Sequence, residues 1–237
     1  MKLSAPIFIL KQQAKTLSRR ERIPLHAAQD RIARREGFKA WSLLAAEWSA
    51  SGSHGDLLSQ LRPGDLVLIA ARPGQGKTLL GIRLAAESVD RGNRSAFFTL
   101  EFTEVDVARC CRKLDIDFDI YRERFMIDAS DLISSSYIAG QLASAPPNML
   151  VVIDYLQLLD QRRENPSLME QVAELKRIAE DRRIVIVCLS QVDRRYDPES
   201  KPFPGFGDVR LPNPVDLSLF DKACFLSRGR IELSSRA

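Results

Sequence analysis

A short apolar run, a glycine-rich turn closing on Lys-Thr and a helical pattern follow one another without a break. They are "LVLIA" at 66–70, "ARPGQGKT" at 71–78 and "LLGIRLAAESV" at 79–89. The first has strand composition and the last has apolar residues at helical spacing, which is how a parallel sheet begins a crossover. The turn between them is built of small residues. Gly74 and Gly76 allow backbone conformations that aim successive N–H groups at one point, at the positive end of a helix opening at Lys77. Ala71, Arg72, Pro73, Gly74, Gln75, Gly76, Lys77 and Thr78 therefore form a candidate phosphate loop. Lys77 supplies a point charge for β- and γ-phosphates, and Thr78 a hydroxyl for Mg²⁺. The general pattern starts on Gly where this chain has Ala71, at the point where the strand leaves the sheet and a methyl group is tolerated.

From residue 57 onward, strands alternate with helices. Nearly continuous apolar runs at 66–70, 95–100, 124–128, 149–153, 184–189 and 222–226 read as strands covered on both faces. Helical stretches lie at 77–91, 103–113, 134–143 and 167–182. The alternation predicts an α/β fold with a mostly parallel central sheet flanked by helices. The first 50 residues differ: 7–20, 24–37 and 40–49 read as three short helices, with Pro24 opening the second and Gly37 closing it. A polar, glycine-containing stretch at 50–56 marks the boundary, giving a basic helical segment over 1–50 and an α/β domain over 57–237.

Charge follows the same division. Residues 1–50 hold 10 Lys and Arg against 4 Asp and Glu, whereas the remainder holds 25 against 27. No apolar run has the length of a membrane span, and the start of the chain lacks a signal-peptide block, so a cytoplasmic setting is expected. Cys110, Cys111, Cys188 and Cys224 have neither metal-ligand spacing nor a nearby His and read as structural thiols.

Three strand ends carry further chemistry. Asp154 ends "LVVID", about 75 residues after the loop, where its carboxylate suits the water shell of Mg²⁺. Glu101 follows "FFTL" and is expected at the same sheet edge. It either polarises water for attack on a γ-phosphate or caps the helix that starts near Thr103. Gln191 ends "VCLSQ", where an uncharged amide either bonds the γ-phosphate or caps the following loop.

"ARPGQGKT", "TLE", "VVIDYLQLL" and "LSQVDRR" together resemble the successive motifs of the ATPase domain of DnaB-type replicative helicases, within the RecA-like group of P-loop NTPases. Ala71 in first position is part of that resemblance, which spans residues 57–227. The resemblance implies ATP and Mg²⁺ as cofactors and a homo-oligomer, hexameric in that family. It also implies hydrolysis coupled to movement along single-stranded DNA, with Lys77, Glu101 and Gln191 in catalysis and Thr78 with Asp154 on the metal.

Two departures temper the expectation. Only a basic segment of about 50 residues precedes the domain where the family carries a large helical one, and the chain stops soon after the strand at 222–226. Arg228 or Arg230 stands where a residue reaching a neighbour's γ-phosphate is sought. For DNA the candidate is loop 193–210, with Arg194, Arg195, Lys201 and Arg210 among Tyr196, Phe203 and Phe206; such a loop either holds a single strand or is simply mobile. The N-terminal arginines (Arg19, Arg20, Arg22, Arg31, Arg34, Arg35) belong either to a DNA- or partner-binding bundle or to a helical cap with a solvated face. Trp41 and Trp48, seven apart, are expected to pack onto the α/β core. Two activities stay open: a DNA-stimulated helicase-type ATPase, and a KaiC-like or loader-like nucleotide switch acting on a protein partner.

Overall fold

The computed structural model describes residues 3–4, 7–50, 57–114, 116–159, 162, 164–211 and 213–235. The strands are β1 (Leu66–Ala71), β2 (Ser95–Thr99), β3 (Phe125–Asp128), β4 (Leu150–Asp154), β5 (Val185–Gln191), β6 (Lys222–Ser227) and β7 (Arg230–Ser235). Among the described residues they form one sheet in the order β3-β2-β4-β5-β1-β6-β7. Neighbours pair in parallel from β3 to β6, and only β7 runs antiparallel.

The sheet is covered on both faces because its strands are apolar on both. In β1, Leu66, Leu68 and Ala70 enter one core cluster while Val67, Ile69 and Ala71 enter the other. Strands β4 and β5 divide in the same way, with Val151 and Ile153 on one side and Leu150 and Val152 on the other. The helices α4 (Lys77–Asp90), α5 (Glu104–Lys113) and α6 (Phe118–Tyr121), numbered after three N-terminal ones, cover the Val67 face. The helices α7 (Ser135–Gln141) and α8 (Leu168–Arg182) cover the Leu66 face. Gly81 brings α4 close: a Cβ there would lie 3.0 Å from Val152 and 3.2 Å from Leu189. At the opposite edge from the glycine-rich turn, Asp65 pairs with Lys222, and Asp221 accepts from the Leu66 N–H and from Lys176 Nζ, at 2.7 and 2.8 Å.

The chain's first helices, α1 (Ile7–Glu21), α2 (Leu25–Arg35) and α3 (Trp41–Ala50), pack round a core of their own containing Leu10, Leu17, Ala28, Ile32 and Leu44. Asp30 accepts the Trp41 N–H at 2.8 Å and starts α3. Among the described residues no helix is long and apolar enough to cross a membrane.

Several expectations need correction. Strand 95–100 stops at Thr99, because the Thr99 hydroxyl accepts the N–H groups of Glu101 and Phe102 at 3.2 and 3.0 Å and turns the chain. Strand 184–189 continues to Gln191 in register with Ala71. Pro24 is the cap before α2 and not its first residue. The tail after 227 is a hairpin: Arg228 and Gly229 have φ of 49° and 76°, the left-handed pair that a two-residue turn requires. Trp41 packs against the bundle's own core, on the rim of a crevice shared with Arg83 and Glu87 of α4. The Trp48 side chain lies outside the described residues. All four cysteines are buried and unpaired with one another.

Candidate nucleotide site

The glycine-rich turn leaves β1 at Ala71, which is still fully buried strand, paired with Gln191 on one side and Leu226 on the other. That is why alanine serves in first place: no left-handed residue is needed there. The need arises at Gly74 and Gly76, with φ of 78° and 87°, and Gly76 caps α4. A Cβ on Gly74 would meet nothing within 4 Å, so the requirement is conformational and leaves the space inside the turn open. Lys77 opens α4 nearly buried, its Nζ 5.3 Å from the centre of the Tyr155 ring. The Gln75 side chain accepts the Arg228 N–H at 2.9 Å and ties the turn to the β6–β7 hairpin.

Asp154 ends β4 beside this turn. It is buried, and among the described residues neither carboxylate oxygen has a hydrogen-bond partner. Burial pushes its pKa up to about 6, and the nearby Glu101 adds to the rise; Lys77 and the approaching Thr78 hydroxyl, which stops short of hydrogen-bond geometry, work against it. Hard oxygen donors with an unsatisfied buried carboxylate are what a small divalent cation takes, so Asp154 and Thr78 fit Mg²⁺.

Glu101 reaches the same edge from β2. Thr99 is the register partner of Asp154, and the turn made by the Thr99 hydroxyl carries Glu101 out into solvent next to it. It does not cap α5. That cap is Thr103, whose hydroxyl accepts the Asp106 N–H at 3.3 Å while the Asp106 carboxylate accepts the Thr103 N–H at 3.2 Å. Burial, and then the charge of Glu101, raise the pKa of Tyr155.

Gln191 stands at the end of β5, level with Ala71. The amide that holds the following loop belongs to another residue, Gln157, which sequence reasoning missed. Its Nε2 donates to Ser190 Oγ at 2.7 Å and to the Arg210 carbonyl at 2.5 Å. No local pattern could have revealed this, because its partners lie 33 and 53 residues away.

In loop 193–210 the aromatic rings are taken up by partners within the chain. Tyr196 is buried, donating to the Lys201 carbonyl at 2.9 Å; Phe203 lies under Arg230, and Phe206 meets Phe225 edge-on at 5.5 Å. Arg195 pairs with Asp193 at 3.1 Å and Lys201 with Asp208 at 2.5 Å. Arg210 returns to the strand edge, where its N–H donates to the Gln191 carbonyl at 2.8 Å. Arg194 lines a cavity of about 360 Å³ together with Arg72, Gln75, Tyr196 and Arg228. Arg228 pairs with Glu199, and Arg230 is held over the Phe203 ring, so both candidates for reaching a neighbour are engaged within their own chain.

Residues 56–206 match the family model described as "ATPase: KaiC". The chain is 25% identical over 192 residues to the protein named "Replicative DNA helicase DnaB" of Leifsonia xyli subsp. xyli, covering 68% of this chain and 42% of that one. It is 26% identical over 212 residues to a "Probable plasmid replicative DNA helicase" of Chlamydia psittaci, covering 75% and 46%. The chain thus spans less than half the length of these curated relatives. A solved structure of a DnaB-like replicative helicase, described with its interactions with primase, superposes with a TM-score of 0.58 at 19% identity. That likeness covers 92% of this chain and 64% of the other, and at such identity it is a likeness of fold. With a family match over more than half its length, on a parallel sheet whose phosphate loop and buried strand-end acid share one edge, the chain belongs to the KaiC-type ATPase family.

Proposed function

We propose that the chain binds Mg-ATP on residues 71–78 and hydrolyses it, and that it does so as a homo-oligomer coupled to single-stranded DNA. The observation carrying the first half is Asp154. A buried carboxylate with both oxygens unsatisfied is costly unless a ligand completes it. Lys77 and Thr78 stand beside it at the start of α4.

In this reading the backbone N–H groups of 73–77 and the Lys77 ammonium hold the β- and γ-phosphates at the positive end of α4. Thr78 and Asp154 hold Mg²⁺, which when bound neutralises charge building on the phosphate oxygens. Glu101 orients and deprotonates the attacking water. Glu101 is exposed at this edge, within reach of solvent water. The Gln191 amide donates toward the γ-phosphate from the end of β5. The cavity bordered by Arg72, Arg194 and Arg228 has room for the base and ribose.

The DNA half rests on relatives named as replicative helicases and on the loop that follows Gln191. Arg194, Arg195, Lys201 and Arg210 contact phosphates there, without the aromatic stacking that the sequence suggests. Residues 1–50 act as a separate basic unit on the 57–237 domain. Steady-state ATP hydrolysis with and without single-stranded DNA tests the reading, with size in solution measured with and without nucleotide. Stimulation by DNA and a nucleotide-dependent oligomer support it. Slow, DNA-indifferent hydrolysis by a monomer overturns the DNA half and marks a nucleotide switch.

A further inference from the structure

A crevice of about 810 Å³ separates α1 from the end of α5 and from α6. Helix α5 leaves the nucleotide edge at Thr103 and runs back antiparallel to the strands, so its last turn lies toward the opposite edge of the sheet. Six cations line the crevice: Lys15 and Arg19 from α1, Arg109, Arg112 and Lys113 from α5, and Arg122 just after α6. Asp117 and Asp119 are the acids among its described lining residues. Arg109 is paired with Asp106 at 2.6 Å and Arg122 with Asp119 at 2.9 Å, both in exposed geometry of little net worth. Among the described residues no ion pair engages Arg19, Arg112 or Lys113.

Helix dipoles account for cations at each helix end taken singly, since Arg19 closes α1 and Arg112 and Lys113 close α5. They do not account for two such ends facing one crevice, where each set raises the potential at the other. On the α1 wall itself, burial first and then its helix neighbours Lys11 and Arg19 lower the pKa of Lys15. A polyanion between the walls relieves the repulsion. The cations stand on both walls and not on one face; the half-buried Phe118 ring that also lines the crevice is taken up within the chain, edge-on to Phe125 at 5.6 Å and under Arg122 at 5.9 Å. A strand with a phosphate at every residue can meet cations on both walls at once and suits this better than an acidic peptide, for which the walls offer side-chain cations and no sheet edge.

We propose that this crevice, between the N-terminal bundle and the α/β domain, is a second nucleic-acid site that holds the sugar–phosphate backbone of a single strand. It is independent of ATP hydrolysis and separate from loop 193–210. The test is fluorescence anisotropy of a labelled oligothymidylate with the full chain, without nucleotide, over a salt series. Arg112→Glu combined with Lys113→Glu is expected to weaken binding about ten-fold or more, and to flatten the slope of log affinity against log salt by about 1.4 for two lost contacts. Arg112→Gln with Lys113→Gln, checked by an unchanged melting temperature, should lose less in the same direction. An unchanged affinity and slope in both pairs overturns the site. So does polyglutamate of matched charge binding as tightly as the oligonucleotide, which would make the crevice a dock for an acidic protein. Arg194→Glu with Arg195→Glu separates the two surfaces: loss there with none at the crevice contradicts this proposal and leaves the loop reading standing.

Discussion

Asp154 concentrates the argument at the scale of single residues. Its carboxylate is buried with both oxygens unsatisfied, a costly arrangement at the position where a cation is proposed to sit. Asp154→Asn removes the charge and keeps the shape. Without nucleotide the variant should be more stable than the parent by about 1–3 kcal/mol in urea unfolding, while losing Mg-dependent ATP binding. A variant less stable than the parent would mean that the carboxylate is satisfied in a way the structure does not show. Glu101→Gln should leave ATP binding intact and slow turnover by about 10²-fold or more, measured in single-turnover hydrolysis. At this scale the sequence was highly legible for the loop, because phosphate binding demands Gly74, Gly76, Lys77 and Thr78 within one turn. It left Glu101 between two roles, and the Thr103–Asp106 pair removes one of them by supplying the cap itself.

Elements bring in what periodicity alone does not carry. The six parallel strands were readable from apolar runs, and their ends moved where a side chain intervened, as Thr99 does at the end of β2. The hairpin strand β7 was missed because its turn uses Arg228 in a left-handed conformation that usually signals itself through Asn or Gly. Tyr196, Phe203 and Phe206 read as a base-stacking set only while their tertiary partners were unseen. Gln157 links elements in the same hidden way, joining the segment after β4 to the end of β5 and to the far end of loop 193–210. Gln157→Leu should therefore cost about 1–3 kcal/mol of stability from the groups left unpaired. It should also reduce DNA stimulation of hydrolysis more than basal hydrolysis; equal losses in both rates would show that the bridge only supports the fold. At the other edge, Asp221→Ala leaves the Leu66 N–H and Lys176 without their partner and should lower urea stability by about 1–2 kcal/mol, part of it screened by solvent.

Over the whole molecule, chemistry gathers at two places. The nucleotide edge collects Lys77, Thr78, Glu101, Asp154 and Gln191 from successive strand ends, the arrangement that open α/β sheets provide at the carboxyl ends of their strands. The second place is the basic bundle, whose separate core makes it a distinct packing unit and whose cations face α5 across a crevice. The charge asymmetry of the first 50 residues was plain in the sequence, but the face it presents depends on how the bundle sits against the domain, which no local pattern encodes. The central claim is that residues 71–78, together with Asp154, form a working Mg-ATP site. Calorimetric titration of Mg-ATP into the full chain, beside Lys77→Ala, tests it most directly. The account predicts saturable, Mg-dependent binding by the parent and none detectable for Lys77→Ala; equal binding by both, or binding by neither, would contradict it.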